Sequence, residues 1–174
     1  MQLIRTGPNH GGNSMETYFH LSVALLSPGS IIENGNFGRM LESYLPNGKF
    51  DISLLYREEV LEFVRRTEYV DKPSRFKSIF LLKNMEEAKQ YMMFNAQFHN
   101  MYEVEIVDSS KPLHEGIWCP DFPVGGALRK YAYDYASVYW KGEIRPLTIQ
   151  GVPVFPREII VESPVRVLRR VQLH

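Results

Sequence analysis

The stretch "SIFLLKNMEEAKQYM", residues 78–92, joins two patterns with no loop between them. Ser78–Leu82 is an apolar run of strand length. Asn84 with Glu87 three residues later has the spacing of a capping box, in which polar side chains satisfy the free N–H groups of a helix's first turn. A strand therefore feeds directly into a helix at Asn84. On its N-terminal side, "SLLYREEVLEFVRRTEY" (53–69) sets Leu54, Leu61 and Val64 at helical intervals, which predicts an amphipathic helix broken before Pro73. Its charges, including Glu58, Glu62 and Arg65 at spacings of three and four, read as a solvated face rather than a site. Earlier still, "TYFHLSVALL" (17–26) favours β structure and "SPGS" (27–30) supplies a turn. "NGNFGR" (34–39) reads as a glycine-containing loop that fits neither phosphate-binding spacing.

Downstream, "MYEVEIVD" (101–108) alternates Tyr102, Val104 and Ile106 with Glu103 and Glu105, the period of a half-buried strand. The span from Ser109 to Gly126 holds three prolines and three glycines and reads as a long loop. "ALRKYAYDYASVYW" (127–140) places Leu128, Tyr131, Tyr135 and Val138 on one helical stripe, and "REIIVESPVRVLRRV" (157–171) reads as two β segments pivoting near Ser163–Pro164. Strands and helices mix without a repeated strand–helix–strand rhythm, so the fold class is α+β. Residues 1–15, with the polar glycine-rich "GPNHGGNS", read as a flexible N-terminal segment, and 16–174 as a single domain.

Twenty Lys plus Arg balance twenty Asp plus Glu, so no whole-molecule field draws the chain to nucleic acid or an anionic membrane. No apolar run approaches the ~20 residues that span a bilayer. The one cysteine, Cys119, suits a reducing compartment, and the simplest localisation is cytoplasmic, although an effector delivered by a non-classical route has the same appearance. His10, His20, His99, His114 and His174 lack metal-ligand spacing, which argues against a metal site. There is no G-x-S-x-G elbow, and Cys119 in "GIWCPDF" reads as a packed thiol rather than a nucleophile. Taken alone, His20 inside an apolar strand reads as a core residue with its ring nitrogens satisfied.

Three dispersed elements change that reading: "FHLS" on the first strand, "SIFLLKNMEEAKQYM", and "REIIVESPVRVL". In this order they resemble the poly(ADP-ribose) polymerase and diphtheria-toxin class of the ADP-ribosyltransferase superfamily. That class has a first-strand histidine, an aromatic strand entering a helix, and a late strand headed by glutamate. Leu21 stands where the family usually has glycine, and Phe80 where it usually has tyrosine, giving a His-Phe-Glu set. "YFHLSVALLSPGSII" (18–32) is also similar to the start of the rifampin ADP-ribosyltransferases.

The resemblance implies a split mixed β-sheet core flanked by helices, in a bacterial or phage branch with a toxin or effector role. It also implies an NAD-dependent mono-ADP-ribosyltransferase with NAD as co-substrate, no metal, and an acceptor that is a protein, a nucleic acid or a small molecule. Glu158 would stabilise the positive charge that develops on the ribose as nicotinamide leaves. His20 would bind the adenosine ribose, Phe80 would stack on nicotinamide, and Leu21, Ser22 and Tyr91 would complete the NAD surface. Arg39 or Arg75 would meet the pyrophosphate. Glu115, near Asp121 in the long loop, is the alternative carboxylate. NAD glycohydrolysis, a binding module without turnover, and the RNA 2′-phosphotransferase branch are the competing functions.

Overall fold

The computed structural model describes residues 16–45, 48, 51–118, 127–149 and 151–172. The 1–15 segment, His10, Cys119, Asp121 and His174 lie outside the described residues. The strands are β1 (Thr17–Ser22), β2 (Ile31–Ile32), β3 (Ile79–Leu81), β4 (Asn100–Ile106), β5 (Leu113–Ile117), β6 (Leu147–Ile149), β7 (Val152–Val154), β8 (Arg157–Val161) and β9 (Val165–Arg170). The helices are α1 (Asn36–Glu42), α2 (Ile52–Glu68), α3 (Met85–Asn95) and α4 (Leu128–Lys141), with a 3-10 turn at Arg75–Lys77. None of them is long and apolar enough to cross a membrane.

One sheet runs β1-β4-β9-β2, a second β3-β8-β5, and β6 and β7 form a small hairpin. The class is α+β. Every strand pairing among the described residues is antiparallel, where the resemblance implied a mixed sheet. Only β6 and β7 pair as neighbours in the chain; the other pairings among the described residues join strands far apart in sequence, with α3 between β3 and β4 and α4 between β5 and β6.

Period-two alternation sorts each strand's side chains between layers. Ile79 and Leu81 of β3 and Ile159 and Val161 of β8 face Tyr18, Tyr102, Val104, Val165 and Val167 of the first sheet, forming a core between the sheets. Phe80 and Ile160 turn to the opposite face of the second sheet, where Leu61, Val64, Tyr135, Tyr139 and Trp140 of α2 and α4 cover them. A third cluster sets α3, through Ala88, against Phe19 and Met101.

The local rules explain the helix starts. Asp51 caps α2 by accepting from Leu54 N–H at 2.9 Å, and Asn84 caps α3 by accepting from Glu87 N–H at 2.9 Å. In a variation on the capping box, the Glu87 carboxylate receives the Asn84 side-chain amide at 3.0 Å rather than a backbone N–H.

Three expectations need correction. The supposed loop at 34–39 is largely α1, which lies so close to the 3-10 turn that a Cβ at Gly38 would stand 2.2 Å from Phe76 O. The supposed loop from Ser109 contains β5, whose five residues find partners on β8. The buried stripe of α4 is Ala132, Tyr135, Ala136, Tyr139 and Trp140, while Leu128 is exposed; the aromatic rings, rather than the aliphatic ends, face α2 and β5.

Gly116 of β5 permits the approach of α4, because a Cβ there would lie 2.4 Å from Cε2 of the Tyr139 ring. Gly116→Ala should lower unfolding stability by about 1–3 kcal/mol, read by urea denaturation, since the ring cannot move without disturbing buried hydrogen bonds. His114, two residues before Gly116 on β5, stacks on Trp140 with centroids 5.0 Å apart and donates from Nε2 to Tyr139 O at 2.9 Å. Burial, aided by the charge of Lys72, pushes its pKa down to about 4. A histidine held neutral in the fold takes up protons only on unfolding, so its stabilisation is present above the ordinary pKa and fades as pH falls from about 6.5 towards about 4. His114→Gln, which keeps an N–H donor, should remove up to about 3 kcal/mol of this acid sensitivity, measured as stability against pH.

Candidate active site

The site opens where the two sheets part. β1 and β3 meet at one bridge, in which Phe19 N–H donates to Leu82 O and Leu82 N–H to Phe19 O, each at 2.9 Å. Beyond it His20 Nδ1–H donates to Phe80 O at 3.0 Å. A carbonyl oxygen can only accept, so the proton lies on Nδ1 and Nε2 is left as an acceptor. Burial holds the His20 pKa below its ordinary value, which keeps the ring neutral.

Phe80 pairs with Ile160 across β3 and β8, so Glu158, two residues away on β8, shares the Phe80 face. The resulting cleft has a volume of about 1120 Å³, and His20, Leu21, Ser22, Phe80, Tyr91, Arg75 and Glu158 all line it. Its inner end is a pocket of about 130 Å³ walled by His20, Leu21, Phe80, Tyr91, His99 and Glu158. Phe37 meets the Phe80 ring edge-on at 5.1 Å, and Tyr91 meets Trp118 edge-on at 5.4 Å, so both aromatic walls are braced. Burial pushes the Tyr91 phenol up to about 12, leaving it a protonated donor. His99 Nδ1 is buried without a hydrogen-bond partner in the same pocket.

A cluster of buried charges lies beside Phe80. The Arg75 guanidinium donates from Nε to Glu58 at 2.6 Å, from Nη2 to Glu58 at 3.2 Å, and from Nη1 to both Glu158 and Tyr139 OH, the latter at 2.7 Å. It packs 4.8 Å from the centroids of both Phe80 and Tyr139. Burial alone would weaken its hold on the proton, but the carboxylates of Glu158 and Glu58 outweigh that and keep its pKa well above the ordinary value. Burial also raises the Tyr139 pKa, with the charge of Glu158 adding to the rise, so its hydroxyl stays protonated beside Arg75. Arg57, which also lines the cleft, reaches Glu58 with Nη2 at 3.0 Å.

Of the residues singled out in the sequence, the cleft brings together His20, Leu21, Ser22, Phe80, Tyr91, Arg75 and Glu158. Arg75 does not stand as a free pyrophosphate ligand, because Glu58, Glu158 and Tyr139 take up its donors. Arg39 lies on α1, bonded to Asn34 O at 3.2 Å and to Asn36 Oδ1, and is not among the residues that line the cleft. Glu115 is likewise outside the lining and faces Arg157 at 3.5 Å. Glu58, Glu62 and Arg65 are not a solvated face. Glu58 is 1% exposed, and the Glu62–Arg65 pair fastens Ser74 Oγ and Lys72 O ahead of the 3-10 turn.

Glu58, Tyr139 and the pocket-lining His99 are among the site residues that the sequence reading missed. The signal for Glu58 was its place four residues after Leu54 and three before Leu61, on the apolar stripe of α2. Among the described residues, no three His, Cys, Asp or Glu side chains are grouped to hold a metal.

Comparison with curated proteins finds no match. Residues 20–172 match the profile of a family described as "Protein of unknown function (DUF2441)"; this span takes in the cleft-lining residues and both sheets except Thr17–Phe19 of β1, and the chain belongs to that family.

Proposed function

We propose that this protein is an NAD-dependent mono-ADP-ribosyltransferase of the ADP-ribosyltransferase superfamily. The observation that carries the reading is the convergence of His20, Phe80 and Glu158, from the first strand, the second sheet's edge and a late strand, on one pocket at a split between two sheets. A planar, amide-bearing ring suits that pocket. Phe80 and Tyr91 offer aromatic walls, and His99 adds a polar residue to the lining. The larger cleft leaves length for a dinucleotide.

In this reading the glycosidic C–N bond breaks, nicotinamide departs with the bonding electrons, and the acceptor's nucleophile bonds to the ribose carbon and loses its proton. Glu158 holds negative charge where positive charge develops. His20, fixed by Phe80 O, presents Nε2 to a ribose hydroxyl. The acceptor is a protein, a nucleic acid or a small molecule. One observation favours a second reading: Glu158 is already paired with Arg75, which suits a module that binds NAD or ADP-ribose without turnover. Water as acceptor would make the protein an NAD glycohydrolase.

Incubation with adenylate-labelled NAD, with and without cell lysate, separates these. Wild-type protein should release nicotinamide and label an acceptor in the lysate, and Glu158→Gln should slow release by about 100- to 1000-fold. Release equal to ADP-ribose formation would identify the glycohydrolase, binding without release the non-catalytic module, and no binding would sink every NAD reading. His20→Ala should weaken NAD binding about tenfold, measured by calorimetry, through loss of a single hydrogen bond to a ribose hydroxyl.

A further inference from the structure

We propose that Glu58 is a positioning residue that acts through Arg75 to keep Glu158 electronegative and aimed into the cleft. The inference rests on the transferase reading and extends it to a residue outside the His-Phe-Glu set.

A buried guanidinium bonded to Glu158 would cancel the charge that a developing ribose cation needs. Glu58 prevents this by taking the Nε edge of the same guanidinium, while Glu158 takes Nη1. Two carboxylates against one guanidinium leave the trio with a net charge of −1, and both carboxylates are buried, Glu58 1% and Glu158 4% exposed. Arg57 offsets this from the side of Glu58, but its side chain is 16% exposed and water screens it more than Arg75.

Geometry fixes which carboxylate reacts. Glu58 is absent from the residues that line the cleft, and Glu158 lines both the cleft and its inner pocket. Tyr139 OH accepts from Arg75 at 2.7 Å and Glu58 takes that guanidinium's Nε edge, so α2, the 3-10 turn and α4 together fix the group that Glu158 meets. The groups facing Glu158 are Arg75 from the turn, Tyr139 from α4, Glu58 and Arg57 from α2 through that cluster, Tyr91 from α3, and His20 and His99 across the inner pocket. Of these, Glu58 supplies the added negative charge.

The test is the pH dependence of nicotinamide release by the full chain, using NAD as probe, in wild type, Glu58→Gln and Arg57→Gln. Glu58→Gln keeps an acceptor for Arg75 but removes the charge, so Arg75 bears wholly on Glu158. The expected results are a fall in kcat of about 100-fold, a change in KM for NAD of less than about threefold, and an acid limb moved to lower pH. Arg57→Gln, at a more exposed position, removes a positive charge and should move the acid limb to higher pH. It supplies the test should Glu58→Gln fail to fold. Glu58→Asp, which restores the charge, should recover most of the kcat lost in Glu58→Gln. A merely structural role for Glu58 would lower thermal stability and leave the acid limbs of the folded variants in place. Superimposable pH profiles in the presence of wild-type release would overturn this role and leave the transferase reading standing. Absence of release by the wild type would overturn both.

Discussion

The burial of one guanidinium governs the arrangement around the cleft. Arg75 is 6% exposed, and a buried cation is tolerated only where its donors are met and its charge is matched. The fold meets that demand from three directions: Glu58 on α2, Tyr139 on α4 and Glu158 on β8. Each partner ties one element to the short turn that carries Arg75. The helices are therefore held over the second sheet by apolar packing and also by a charge that has no other place to go. Removing any one partner would leave part of that charge unanswered in a region where water cannot compensate.

Close contacts deliver the partners to Arg75. Gly116 lets the Tyr139 ring lie against β5, and Trp140 Nε1–H donates to Leu61 O at 2.8 Å, pinning α4 to α2. Gly38 lets α1 settle on the backbone at Phe76, next to Arg75. Small residues thus set the distances over which the large and charged ones act. At one end of this assembly, Phe80 joins the buried charges to the cleft, since its ring packs on Arg75 and lines the inner pocket beside Glu158.

Much of the framework was legible because local physics decided it. The apolar period of α2, the Asn84 cap and the alternation in β4 each express a short-range rule, and each element forms where its pattern lies. The readings that failed depended on distant partners. Five residues after Pro112 look like loop until β8 supplies a ladder, and "NGNFGR" looks like loop until the 3-10 turn offers α1 a surface. Arg75 illustrates the same limit in the site. Sequence reading brought it to the cleft, but whether an arginine meets a ligand or a carboxylate depends on Glu58 and Glu158, which are far from it in the chain. Glu58 itself was hidden by a sound local rule, since charges at helical spacing commonly face water.

The main-chain bridge between β1 and the residue that follows β3 has a consequence for how such a chain can diverge. Both hydrogen bonds of the Phe19–Leu82 bridge come from the main chain. Any residue except proline can contribute them, because only proline lacks the N–H. Substitutions on either strand can therefore accumulate while the seam persists, and the walls just beyond it, at positions such as 21 and 80, can be exchanged independently of the join. The architecture of the opening is in this sense decoupled from the identity of what lines it, so a lineage can retune the pocket without first having to rebuild the scaffold.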